Sequence, residues 1–218
     1  MNNASHLEQG LTAYNDGDFK TAFAQWQIAA DQNDSRGQYF LGTLYLEGKG
    51  VKKNPDKTLE LFTVSAEKNN PNALLALVNI YTEGKIAPQD MSKAFYWCEK
   101  AAEHGIPLAQ NFLGRMYMDG RGTPTDTVKG LEWLTSAAKN GVVEAQYYVG
   151  YAYFQGQQVN RDLGKAYAWF NIAGENGSVD AQKGIAHLAN IMDEDQIVSA
   201  IRLATQYKTA KTVQHPQQ

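Results

Sequence analysis

Small and apolar residues recur along the chain at a fixed interval of 36 positions, which is the signature of a repeat architecture. Within one interval, Leu113, Gly114 and Tyr117 stand at i, i+1 and i+4, the spacing of one apolar helix face. The period is followed by tyrosine (Tyr45, Tyr81, Tyr117, Tyr153), glycine (Gly48, Gly84, Gly120, Gly156), leucine and tryptophan (Leu61, Trp97, Trp133, Trp169), lysine (Lys57, Lys93, Lys129, Lys165) and small residues (Ala30, Ala66, Ala102, Ala138, Gly174).

Each interval predicts two helices joined by a short loop. Gly120 is placed to end the first helix, called helix A, because glycine tolerates the left-handed backbone of a helix end. Asp126 is placed to cap the second, called helix B. The predicted A helices are 35–47, 71–83, 107–119, 143–155 and 179–191, and the predicted B helices are 55–68, 91–104, 127–140 and 163–176.

The two ends of the chain depart from the period, as the capping units of a repeat array do. Residues 3–31 form a shorter unit with a turn at 15–18, and Asp193 can cap a last helix over about 194–209. The predicted organisation is a capping repeat at 1–34, four repeats at 35–70, 71–106, 107–142 and 143–178, a half repeat with a capping helix at 179–210, and a disordered tail at 211–218.

Composition narrows the possible partners. The 218 residues are 43% hydrophobic and carry a formal net charge of −3, with Lys and Arg scattered, so no nucleic-acid partner is expected. No apolar run approaches the roughly 20 residues that span a bilayer, so no membrane insertion is expected. One cysteine excludes an internal disulfide. We expect a cytoplasmic protein if the chain is complete, or a periplasmic or secreted one if a signal peptide was removed.

The string from Ala145 to Gly156, followed by the string from Lys165 to Ala173, resembles the Sel-one-like repeat, a relative of the tetratricopeptide repeat. The resemblance covers about residues 35–191, and residues 1–34 look closer to a tetratricopeptide repeat. It implies an all-α, right-handed α-α superhelix of five to six repeats that acts as a scaffold in signalling, quality control or bacterial host interaction. Two departures are Val78 for the usual Gly and Gly130 for the usual Ala. The cysteine pairs of a secreted branch are absent.

In such solenoids the A helices line a concave groove, so their non-periodic positions are the candidate contacts for another protein or peptide. Tyr147, Tyr151 and Phe154 share one helix face and offer large apolar area at low entropy cost, although aromatic residues at helical spacing are also typical of a core. Asn79, Asn111 and Arg115 would hold the partner's backbone or a carboxylate. The candidate contacts are Tyr39, Leu46, Leu75, Asn79, Asn111, Arg115, Met118, Tyr147, Tyr151, Phe154 and His187.

The sequence offers only weak evidence for a catalytic motif. Ser-x-x-Lys occurs at Ser65 and Ser136, and in penicillin-recognising enzymes such a serine is the nucleophile, but both copies fall at one phase of the repeat and no partner motif accompanies them. No metal site, cofactor or catalytic residue is expected. We predict a non-enzymatic adaptor that acts as a monomer. The alternatives are a virulence or toxin-immunity factor that uses the same groove and, less favoured, a penicillin-binding or β-lactamase-like enzyme.

Overall fold

The computed structural model describes residues 3–156 and 158–213, and all regular structure in these residues is α-helical. The helices belong to two compact units. The first unit, Met1–His104, contains α1 (Asn3–Asn15), α2 (Phe19–Asp31), α3 (Ser35–Glu47), α4 (Pro55–Glu67), α5 (Pro71–Glu83) and α6 (Met91–Glu103). The second unit, Gly105–Gln218, contains α7 (Pro107–Asp119), α8 (Thr127–Lys139), α9 (Val143–Gln155), α10 (Leu163–Glu175), α11 (Val179–Ala189) and α12 (Glu194–Val213).

The predicted helix-turn-helix period is confirmed. The A helices α3, α5, α7 and α9 begin and end at the predicted residues, and each B helix ends one residue early. The last A helix, α11, ends at Ala189 rather than at residue 191, because the backbone N–H of Asn190 already turns back to the carbonyls of His187 and Leu188.

The loop between helix A and helix B is built in the same way in successive repeats. In the second unit, the Asp126 side chain accepts from the backbone N–H of Lys129 at 3.0 Å, and the Asp126 N–H donates to the Tyr117 carbonyl at 2.9 Å. The Lys129 amine lies 3.7 Å from the Asp126 carboxylate and 5.6 Å from the centre of the Tyr117 ring. The aspartate, lysine and tyrosine at these repeating positions are therefore parts of one loop structure. This structural role explains why the lysines recur, and no binding role is needed.

Consecutive repeats are also joined by a buried glutamine that the sequence reasoning missed. The side-chain amide of Gln146, on α9, donates to the Ala138 carbonyl on α8 at 3.1 Å. Its oxygen accepts at 3.2 Å from the side chain of Asn176, the C-cap residue of α10. Gln146 is 3% exposed, so one side chain satisfies polar groups at the ends of two B helices. The same position carries Gln38, Gln110 and Gln182.

Helix A and helix B of one repeat approach closely where a glycine faces a large ring. A Cβ atom added to Gly42 would lie 2.8 Å from the Phe62 ring, and one added to Gly150 would lie 2.7 Å from the Phe170 ring. Such distances leave no room for a side chain, so glycine at this position is required by packing.

In the repeat of α5 and α6 the larger side chain lies on helix A and the smaller one on helix B. Val78 stands where the other repeats have glycine, and Cys98 stands where they have Phe62, Leu134 and Phe170. Both residues are buried, Val78 at 3% exposure and Cys98 at 0%. We infer from the equivalence of the positions that the valine side chain occupies the space that the aromatic ring fills elsewhere. The departure at Val78 and the single cysteine thus have one common cause.

The C-terminal helix is capped as predicted, since the Asp193 side chain accepts from the Gln196 N–H at 2.8 Å and the Gln196 side chain accepts from the Asp193 N–H at 3.0 Å. α12 then packs against α10, with the Tyr207 ring stacked on Trp169 at 4.8 Å between centroids. The helix runs to Val213, and residues 214–218 of the predicted tail lie outside the described part.

Candidate functional site

Three aromatic residues predicted as partner contacts lie along one side of α9. Tyr151 is 43% exposed, and Tyr147 and Phe154 are half-buried. The centroid of the Tyr151 ring lies 6.1 Å from that of Tyr147 and 6.5 Å from that of Phe154. The three rings therefore form a continuous apolar surface, of which the middle ring is the most open to solvent.

These rings form one wall of a cavity of about 340 Å³ in the second unit, here called the aromatic cavity. Phe170, from α10, is 2% exposed and forms its floor, with its ring stacked on Tyr147 at 5.7 Å. The opposite wall comes from α11, where His187 meets the Phe154 ring edge-on at 5.5 Å. The cavity is lined by Tyr147, Tyr151, Phe154, Phe170, Asp180, Lys183, Gly184 and His187.

The floor of the aromatic cavity depends on a glycine of α11. A Cβ atom added to Gly184 would lie 2.8 Å from the Phe170 ring, so any side chain there would displace the floor of the cavity. One repeat earlier the equivalent residue is Tyr148. The glycine therefore lets α11 pack closely against the Phe170 ring.

The rim of the aromatic cavity is charged. The Lys183 amine donates to the Asp180 carboxylate at 2.9 Å, which raises the pKa of Lys183. Burial, followed by the nearby Asp180 carboxylate, raises the pKa of Tyr147, so this hydroxyl remains neutral over the physiological range. On the far side of Phe154, the Arg161 guanidinium lies 5.9 Å from the centre of the ring, and its Nε donates to the Phe154 carbonyl at 3.2 Å.

A second cavity of about 240 Å³ lies on the other side of Tyr151, towards α7. Its walls include Met118 and Asp119 from α7 and Tyr148 and Gln155 from α9. Because Tyr151 lines both cavities, the two form one concave surface across α7, α9 and α11, divided by this single ring.

Two polar residues that were predicted to contact a partner form hydrogen bonds within the chain. The Arg115 guanidinium donates to Glu144 at 2.8 Å, and the Asn111 side-chain amide donates to the other oxygen of the same carboxylate at 3.0 Å. Asn111 is 5% exposed, so the prediction that it is open to a partner is wrong. Its position on helix A, which indicated exposure, is covered in the folded unit. Arg115 is half-buried, lies over the Tyr148 ring at 5.7 Å and still lines the second cavity.

The remaining predicted contacts belong to the first unit and form a separate set. Tyr39, Leu46 and Leu75 are half-buried, and Asn79 is exposed. The Tyr39 ring stacks on the buried Phe62 ring at 5.4 Å between centroids, which gives it a packing role as well. The structure therefore brings Met118, Arg115, the three α9 aromatics and His187 together around the two cavities in the second unit only.

The catalytic alternative finds no support in the geometry. The Ser65 hydroxyl is buried and donates to the Ser35 carbonyl at 2.6 Å, which is a structural hydrogen bond between two helices. Burial raises the pKa of Cys98 to about 12, so its thiol stays protonated. Within the described residues, no cluster of three or more His, Cys, Asp or Glu side chains could hold a metal ion. No described helix is long and apolar enough to cross a bilayer.

Sequence reasoning missed Phe170, Gly184 and Arg161. The candidate contacts were taken from the A helices, which left out Phe170 on helix B. A usable signal was present in Gly184, because this position holds Phe40, Phe112 and Tyr148 in other repeats. A glycine at a position that is usually aromatic indicates a local change in packing.

The repeat seen in the structure matches a known family model. The Sel1 repeat model matches residues 35–70, 72–106, 107–142 and 143–178, which together make up more than half of the chain. The chain belongs to the Sel1 repeat family. Protein–protein interaction is the typical role of Sel1 repeats.

Two solved structures support the same fold. A Sel1 repeat protein from Oxalobacter formigenes is 29% identical, with 94% of this chain and 88% of that chain covered and a TM-score of 0.73. A protective antigen of uropathogenic Escherichia coli with a Sel1-like repeat fold is 27% identical, with 100% of this chain and 49% of that chain covered and a TM-score of 0.76. No curated protein matches the chain. The predicted family and the all-helical repeat fold are confirmed.

Proposed function

We propose that this Sel1 repeat protein is a non-enzymatic adaptor that holds a segment of a partner protein on the face formed by α7, α9 and α11. The observation that carries the proposal is the aromatic cavity, in which four aromatic rings surround an open space of about 340 Å³. Binding sites for side chains of other molecules are concave and mainly apolar, with a few polar groups at the edge.

The energetics favour anchoring at α9. Tyr151 and the half-buried Phe154 expose aromatic surface that water solvates poorly, and aromatic residues dominate the binding energy of protein interfaces. The rings are already held by stacking on one another and on Phe170, so little side-chain entropy is lost when a partner binds.

The test is capture of partners from a native lysate of the source organism by immobilised protein, followed by mass spectrometry. The double variant Tyr151→Ala with Phe154→Ala should lose specific partners by about 30-fold or more, the effect of removing a binding hot spot. A control variant, Tyr96→Ala with Leu108→Ala, removes similar exposed apolar area away from the cavity, since these side chains are 48% and 61% exposed.

Both variants should retain the helical circular dichroism and the urea midpoint of the parent protein to within a small difference. Equal recovery of every captured protein by the parent and the cavity variant would contradict the proposal. The toxin-immunity alternative uses the same face, and the identity of a captured partner, toxin or otherwise, separates it from a general adaptor.

A further inference from the structure

Charged groups around the aromatic cavity indicate the chemistry of its occupant. Two charged residues, Asp180 and Lys183, line the cavity, and a third, Arg161, lies beside Phe154 without lining it. Asp180 and Lys183 neutralise each other at 2.9 Å. The Arg161 charge then remains, so this end of the surface is cationic.

Arg161 is held in place without a carboxylate. Its Nε donates to the Phe154 carbonyl and its guanidinium carbon lies 5.9 Å from the centre of the Phe154 ring, while no described Asp or Glu forms an ion pair with it. The two Nη groups, the fork that binds a carboxylate with two parallel hydrogen bonds, have no protein acceptor among the described residues. The side chain is exposed, yet its orientation is already fixed by two contacts.

The repeat period does not account for an arginine at this position. The residues equivalent to Arg161 in the preceding repeats are Lys53, Gln89 and Thr125, so no fixed loop structure requires an arginine here. The repeating loop is complete with its aspartate, lysine and tyrosine. Arg161 therefore stands outside the features that stacking explains, as do Tyr151 and Phe154 beside it.

We propose that the aromatic cavity binds an internal acidic segment of a partner protein, with one large apolar side chain in the cavity and an adjacent Asp or Glu carboxylate on Arg161. This inference rests on the proposed adaptor function and specifies its ligand. An internal segment is favoured over a chain terminus because the concave surface continues past Tyr151 into the second cavity. Asp119 lines that cavity, so the partner's carboxylate belongs on the Arg161 side.

The experiment uses three capped pentapeptides and the full chain, with binding followed by amide chemical shifts in nuclear magnetic resonance spectra. The first peptide has a central phenylalanine flanked by two glutamates on each side, the second replaces the glutamates by glutamines, and the third replaces the phenylalanine by glycine. The first should shift amides of α9 and α11 and bind about tenfold more tightly than either of the others at low salt. Its advantage over the glutamine peptide should shrink as salt is added.

Two variants with the same change in charge locate the carboxylate. Arg161→Gln should weaken the acidic phenylalanine peptide by about fivefold to tenfold, the effect of losing one charge-assisted contact, and leave the glutamine peptide unchanged. Arg121→Gln, an exposed arginine in the loop before α8 that lines neither cavity, should change neither by more than about twofold, as expected for a screened charge without direct contact.

The inference is overturned if the glutamine peptide binds as tightly as the acidic one, if Arg161→Gln has no effect, or if the acidic phenylalanine peptide fails to shift the cavity amides. It is also overturned if the glycine peptide binds as tightly as its phenylalanine counterpart, which would show binding by charge alone. Tight binding of the glutamine peptide in the cavity would leave the adaptor function standing while removing the acidic ligand, so the two failures are distinguishable.

Discussion

Replacing Val78 and Cys98 by the residues of the neighbouring repeats tests whether the two side chains share one space in the core. Val78→Gly removes three buried carbons, worth about 2.4 kcal/mol at roughly 0.8 kcal/mol each, and adds about 1 kcal/mol for glycine within a helix. Cys98→Phe forces a ring into a filled position at a cost of about 2 kcal/mol. If the two changes were independent, their costs would sum to about 5 kcal/mol.

The double variant should instead recreate the Gly42–Phe62 arrangement, in which the ring lies where a Cβ would be. Its remaining cost should be mainly the helix penalty of glycine, about 1–2 kcal/mol. The coupling between the two changes is then about 3 kcal/mol and favourable, at the upper end of values for residues in contact.

Urea unfolding followed by circular dichroism and by tryptophan fluorescence measures these differences, and agreement between the two probes checks that unfolding is cooperative. Val149→Gly, a buried valine of α9 in the second unit, serves as the control when combined with Cys98→Phe. The losses in the free energy of unfolding caused by those two changes should add. A Val78–Cys98 double variant that is as unstable as the sum of its single variants would refute the shared space.

Three further outcomes follow from polar and titratable groups. The Cys98 thiol, whose pKa burial raises to about 12, should not react with a disulfide reagent near pH 8 in the folded protein and should react at once in urea. Gln146→Leu should lower the free energy of unfolding by about 1–3 kcal/mol, because it leaves the Ala138 carbonyl and the Asn176 amide without their bonds, as urea titration can measure. Asp126→Ala should cost about 1 kcal/mol through the lost cap on α8, detectable as a lower thermal midpoint.

Helix positions were predictable because each boundary is specified locally. Asp126 supplies a cap for α8, Gly120 adopts the left-handed conformation with φ of 69° at the end of α7, and the apolar face of each helix has a helical period. These determinants act within a few residues, so one sequence suffices to place them. The one A helix whose end was predicted wrongly, α11, lacks the terminal glycine of the others and has Asn190 as its C-cap residue instead.

The candidate site was only partly predictable, because a cavity depends on side chains from three helices at once. The α9 aromatics could be identified, since they depart from the period on one helix face. Their surroundings could not, because these depend on Phe170, which forms the floor of the cavity, and on Gly184, which lets α11 pack closely against that ring. The exposure predicted for Asn111 was wrong for the same reason, since its burial depends on neighbouring helices and on its hydrogen bond to Glu144.

The glutamine between consecutive B helices has a consequence for how such a chain can change length in evolution. Gln146 binds partners 8 residues before it and 30 residues after it. A duplication or deletion of 36 residues preserves both separations at this junction, whereas a shorter insertion within the span would part the buried amide from one of its partners. A gain or loss of whole repeats is therefore compatible with this glutamine.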